Sequence, residues 1–171
     1  MIEIKKNINR ITTCDVEEFE AKIDLTLPEE YKNFLLKFNG GIPEKNRVKS
    51  KYQDDLVFQI TEFFGIGVKE DLFLNAEAYS DRLPSKCIAI ASIEGGNLLC
   101  LNLAQENYGS LYFWDHEEVS EVDISISELN EVSHSFKDFL TLIEKHTTAE
   151  DAFEGYTVVK GWINPEFLKK K

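Results

Sequence analysis

The densest group of reactive side chains lies between Trp114 and Asp123, where Asp115-His116-Glu117-Glu118 is followed by Glu121 and Asp123. Carboxylates and imidazole are ordinary ligands of divalent cations. Consecutive residues on a strand point to opposite faces, however, and no HExxH, HxH or CxxC array supplies the rest of a coordination sphere. No metal site is expected. Gly95-Gly96 is too little for a phosphate cradle, because a Walker-type loop needs its GxxxxGK[ST] lysine and the nearest lysines are Lys86 and Lys137. None of the three histidines has the signature of a base beside an activated Ser or Cys. Cys14, Cys87 and Cys100 are odd in number and widely spaced, and two sit in apolar runs, Cys87-Ile88-Ala89-Ile90 and Leu98-Leu99-Cys100-Leu101. Buried, inert thiols follow from that setting. The expectation is a protein without enzymatic activity or cofactor.

Charge says more. The 171 residues hold 31 acidic and 19 basic side chains, a formal net charge of −12, with 43% of residues hydrophobic and 12% aromatic. That apolar content excludes a disordered chain. The acidity argues against direct nucleic-acid binding, which draws on Lys and Arg neutralising phosphates. The charge is also concentrated. The fifty residues Cys87 to Phe136 contain no Lys or Arg and nine acids, five of them between Asp115 and Asp123. Strand alternation would turn Glu121 and Asp123 to one face, giving an acidic patch at a sheet margin. A solvated face that keeps the protein soluble explains the same residues equally well. Tyr112-Phe113-Trp114 reads as core on one face and partner contact on the other.

These residues need a scaffold. Asp15 and Glu18 have the spacing of a reciprocal cap, and Val16, Phe19 and Ile23 continue a helix over about 15–24. Leu27-Pro28-Glu29-Glu30 opens a second, with Pro28 at its first position and Tyr31, Phe34, Leu35 and Phe38 as the stripe, stopped by Asn39-Gly40-Gly41. Glu44 to Lys51 reads as a polar loop. Leu56, Phe58 and Ile60 alternate as a strand, Leu72 to Tyr79 forms a short helix, and three strands follow at Cys87–Ser92, Leu98–Leu103 and Ser110–Trp114. The short turns between them favour an antiparallel meander. Val122, Ile124 and Ile126 suggest a weaker strand, and Ser135 with Asp138 caps a helix with Phe136, Phe139, Leu140 and Ile143 on its stripe. The class is α+β: an antiparallel sheet of about four to six strands, with an N-terminal helix pair and a C-terminal helix packed against it. Residues 1–146 form the domain and 147–171 an extension docked on it, Tyr156 to Leu168 being apolar enough to pack back. No run of about 18 apolar residues could span a membrane. Met1 to Asn7 lacks a signal peptide's features, so the cytoplasm is the expected compartment.

In order along the chain, several motifs resemble the SUKH superfamily, which includes fungal cell-wall-assembly regulators and many bacterial immunity proteins. They are Leu27-Pro28-Glu29-Glu30-Tyr31-Lys32-Asn33-Phe34-Leu35 with Asn39-Gly40-Gly41, then Ile88-Ala89-Ile90-Ala91 with Glu94-Gly95-Gly96-Asn97-Leu98-Leu99-Cys100-Leu101. Gly109, Tyr112-Phe113-Trp114-Asp115-His116-Glu117 and Ser135-Phe136-Lys137-Asp138-Phe139-Leu140 complete the set. The resemblance covers roughly residues 12–146. It implies a bacterial immunity protein that binds and neutralises a cognate polymorphic toxin domain, basic and of nuclease type. Under that implication the acidic stretch could fill a cationic substrate groove, with Trp114, Asp115, Glu117, Glu118, Glu121 and Asp123 as partner-binding candidates. The alternative is a non-enzymatic regulatory module linked to cell-wall metabolism, as in the fungal relatives.

Overall fold

The computed structural model describes residues 3–5, 9–53, 55–118 and 124–144. Helix α1 (Thr13–Ile23) begins two residues before the expected start. Its cap is Thr12, whose backbone N–H and hydroxyl both donate to the Asp15 carboxylate at 2.7 Å. Asp15 is therefore the second half of the box rather than the first: a hydroxyl at the cap and a carboxylate three residues on satisfy each other. Those two hydrogen bonds hold the Asp15 carboxyl below its usual range. Helix α2 (Glu29–Phe38) follows, with Pro28 one position ahead of the first helical residue. Between the helices, Glu20 accepts from the Leu27 N–H at 2.6 Å and pairs with Lys32 at 2.8 Å, setting the turn.

Asn39 ends α2 in the left-handed region (φ 51°). Its buried side chain donates to the Asn9 and Ile66 carbonyls and accepts from the Ile66 N–H. The chain then forms β2 (Ile42–Pro43), which pairs with β1 (Ile4–Lys5), and β3 (Arg47–Lys49). Strand β4 (Val57–Phe63), helix α3 (Leu72–Ala78), β5 (Cys87–Ile93), β6 (Leu98–Asn102) and β7 (Leu111–Trp114) come next. Last are β8 (Asn130–Ser133), α4 (Phe136–Leu140) and β9 (Ile143–Glu144). Strands β3 to β9 form one sheet of order β8-β7-β6-β5-β4-β3-β9, with every pairing antiparallel.

The α+β class and the β5–β6–β7 meander agree with expectation, but the sheet has seven strands instead of four to six. Strand β3 lies inside the segment read as a loop, and β9 takes Ile143 off the expected helical stripe, because α4 stops at Leu140. The weaker strand is also displaced. Ile126 belongs to a short 3₁₀ turn capped by Ser125, and pairing with β7 begins only at Asn130. Val122 lies outside the described residues.

The sheet curls until its distant strands meet. Ser50, just past β3, donates to the Glu131 carbonyl of β8 at 3.2 Å, and Gln53 donates to Asn130 at 2.7 Å. Phe58 of β4 and Phe113 of β7 bring their rings to 5.2 Å across the curl. On the side covered by α2 and α4, Tyr31, Phe34, Phe63, Phe136 and Phe139 form one aromatic cluster. Phe136 touches the other four at centroid distances of 5.0–6.4 Å. Each such ring contributes about 1.5–3 kcal/mol through burial. The Tyr31 hydroxyl is sealed in the same place, and burial pushes its pKa far up.

Candidate partner-binding surface

Two turns build the candidate surface. The β5–β6 connection, Glu94-Gly95-Gly96-Asn97, depends on Gly95 (φ 81°) and Gly96 (φ 89°), a region that side chains with a Cβ rarely adopt. The second turn leaves β7 at Trp114 and carries Asp115, His116, Glu117 and Glu118. Register places the two together, since Leu98 at the start of β6 is opposite Trp114 at the end of β7. The Asn97 side-chain oxygen clamps them, accepting from the His116 backbone N–H at 3.2 Å and lying 2.8 Å from His116 Nδ1. An amide oxygen only accepts, so Nδ1 carries the hydrogen in this arrangement. Asp115 turns the chain again by accepting from the Glu117 N–H at 2.9 Å.

Glu94, Asp115, Glu117 and Glu118 thus share one sheet margin, here called the acidic lip. Asp115 is half-buried and the other three are exposed, the Glu117 side chain at 80%. Glu121 and Asp123 lie outside the described residues. Trp114 differs from the other candidates: at 2% exposure it offers no surface to a partner. Tyr112 and Phe113 are buried as well, because neighbouring structure covers both faces of β7. Tyr79, which closes α3, meets the Trp114 ring edge-on at 5.8 Å, while the curl encloses Phe113. Trp114 supports the lip from beneath.

Sequence counting missed two cations. Arg82 stacks its guanidinium over Trp114 at 5.0 Å. Arg47 lines a recess of about 270 Å³ that it shares with Glu94, Asn97, Phe58 and Phe113, and it pairs with Glu144 at 3.2 Å. A stretch without Lys or Arg is therefore flanked in space by arginines from elsewhere in the chain. The alternation of β3 could have hinted at Arg47, which stands opposite Gln59 and Glu144 in the sheet.

The cysteines divide. Cys87 and Cys100 are buried, as expected, and burial pushes the Cys100 thiol well up. Cys14 is exposed on α1, where the nearby Glu18 carboxylate raises its pKa and disfavours the thiolate. Among the described residues no three His, Cys, Asp or Glu side chains gather where they could hold a metal ion. No described helix is long and apolar enough to cross a membrane.

The chain belongs to the SMI1/KNR4 family (SUKH-1), whose model matches residues 10–142, a span that takes in the helix pair, the antiparallel meander and the short helix after it. It is similar to the SPbeta prophage-derived uncharacterized protein YokK of Bacillus subtilis (strain 168), with 27% identity over 167 residues, 87% of this chain and 83% of YokK.

Proposed function

We propose that the protein is an immunity-type inhibitor that binds a basic toxin domain stoichiometrically and turns over no substrate. Family membership and the prophage origin in the relative's name fit that role. The observation that carries the proposal is the acidic lip, where Asn97 and His116 hold carboxylates from two turns at one margin. Prearranged charge of one sign speeds encounter with a cationic surface and suits the substrate groove of a nuclease. In this reading Asp115, Glu117 and Glu118 make contacts, Glu121 and Asp123 extend the charge, and Trp114 braces the turn from inside. The action takes place in the cytoplasm of the producing or neighbouring cell.

The direct test is co-expression with candidate basic toxin domains taken from the genes adjoining this one, followed by affinity capture and a toxicity assay. A one-to-one complex and loss of toxicity are expected; toxicity that persists with no complex formed would overturn the role. The electrostatic part is tested separately with Glu117→Lys and Glu118→Lys together. Association should slow at least tenfold and lose much of its dependence on salt, while unchanged kinetics would remove the lip from the interface.

A further inference from the structure

The recess of about 270 Å³ beside the acidic lip has the make-up of a receptor for a single side chain. Its floor is apolar: the Phe58 and Phe113 rings meet at 5.2 Å, and Ile93, the last residue of β5, is buried and lines it with them. Polar groups stand at its walls. Glu94 and Asn97 come from the β5–β6 turn, and Gln59 comes from β4, opposite Arg47 of β3. Register gathers them, since Ile60 of β4 is opposite Ile93 of β5 and one further step along that ladder sets Gln59 against Glu94.

Size limits the occupant. At about 30 Å³ per water-sized group the volume holds about nine heavy atoms, enough for one long side chain and too little for a helix about 10 Å across. Charge then decides which side chain. Arg47 is already paired with Glu144 at 3.2 Å, whereas Glu94 is exposed and has no ion pair among the described residues. Arg47, Glu144 and Glu94 together leave one net negative charge at the mouth, and Asp115, Glu117 and Glu118 continue it along the margin. A carboxylate would be repelled there and would have to displace Glu144 to reach Arg47. A lysine would satisfy Glu94 but has no flat face to set on the rings. A guanidinium does both, because its planar fork donates to a carboxylate and an amide oxygen while its face and stem lie on aromatic carbon. The amide is that of Gln59, half-buried and without a hydrogen-bond partner among the described residues.

We infer that the recess seats one arginine side chain of the partner, with its stem on Phe58 and Phe113 and its guanidinium on Glu94 and Gln59. The source of that arginine, a basic toxin domain, rests on the inhibitor reading above. The lip draws a cationic surface in, and the recess fixes where it stops. Asn97 joins the two, since its oxygen holds His116 while its side chain lines the recess.

Titration of the full-length protein with Nα-acetyl-arginine methylamide, followed through backbone amide resonances, tests the recess without the toxin. Saturable shifts at Gln59, Glu94 and Asn97 are expected at roughly millimolar probe, the range for a ligand of this size. Glu94→Gln, on an exposed turn, should weaken binding about tenfold, whereas Glu17→Gln, the same charge change on α1, should not. The citrulline analogue, of the same shape without the charge, should bind about tenfold more weakly than arginine, and the lysine analogue should also be weaker. Citrulline or lysine binding as tightly as arginine, equal weakening by Glu17→Gln, or no shifts at the recess would each overturn the proposal. With a captured toxin domain, Glu94→Gln should speed dissociation about tenfold, and an unchanged rate would overturn the assignment of the arginine to the partner. Capture of no toxin domain would instead count against the inhibitor reading, while the titration still decides whether the recess takes arginine.

Discussion

The aromatic cluster beneath α2 and α4 and the acidic lip beside β6 and β7 are held by different forces. In the cluster, Phe136 alone meets four other rings, and no described polar contact is needed to keep them in place. At the lip, Trp114 braces the turn from beneath with its ring 6.4 Å from that of His116, and the positions of Asp115 to Glu118 rest otherwise on the two contacts between Asn97 and His116 and the one from Glu117 to Asp115. One region is stable because water is excluded. The other remains available because water is not, and its order depends on a few hydrogen bonds worth about 0.5–1.5 kcal/mol each. Stability and binding can therefore be altered separately.

The sharpest break of that comparison is Phe136→Ala, expected to cost about 3–5 kcal/mol in denaturant unfolding by opening a cavity where four rings converge. The folded fraction should still bind its partner with unchanged kinetics. Next is Asn39→Ala, which removes a buried side chain's hydrogen bonds to the Asn9 carbonyl and to both backbone groups of Ile66, a loss of roughly 1–3 kcal/mol by the same measurement. Asn97→Ala should lower stability by only about 1 kcal/mol, yet slow association with the partner because Asp115 to Glu118 lose their clamp. Glu117→Lys with Glu118→Lys should change stability by less than about 0.5 kcal/mol, since both side chains are exposed.

The smallest effect concerns pH. The Asp15 carboxyl is held below its ordinary value of 3.8 by Thr12, so its stabilisation is fully present above that pH and is lost as pH falls through the folded-state value. Helical signal from α1 should decline over that acid window, and Thr12→Ala should flatten the decline. An identical acid profile in Thr12→Ala would show that the box contributes nothing.

How much of this was legible in the sequence follows the same division. Elements with many apolar side chains in a regular period, α2 and β5 to β7, appeared where the pattern put them, because local periodicity and burial agree there. Strand β3 has one inward apolar residue, Val48, between Arg47 and Lys49. Its formation depends on the neighbouring β4 and β9 edges, and a local pattern carries no record of distant partners. Ile143 kept helical spacing with Phe139 and Leu140, but the chain leaves α4 with the Thr141 hydroxyl donating back to Asp138, and β3 offers it a ladder instead. At the site, the position of the acids along the chain was readable. The burial of Trp114 was not, since it requires Tyr79 and Arg82 to arrive from a segment more than thirty residues away. The exposed Cys14 was missed for a related reason: whether a thiol is covered depends on packing, and its helix is polar on that side.

The seam that closes the curl also bears on the order of folding. Strand β3 finds β4 within about ten residues, but Arg47 must wait for Glu144, 97 positions later, before its other side is paired. Contacts of such separation form late and slowly. Until β9 is made, a growing chain presents an open edge, and open edges recruit strands from other molecules. Here that edge is three residues long, with Arg47 and Lys49 on either side of Val48. A short charged strand is a poor template for a foreign one, so the pairing of β3 can wait until β9 is made with little risk of aggregation.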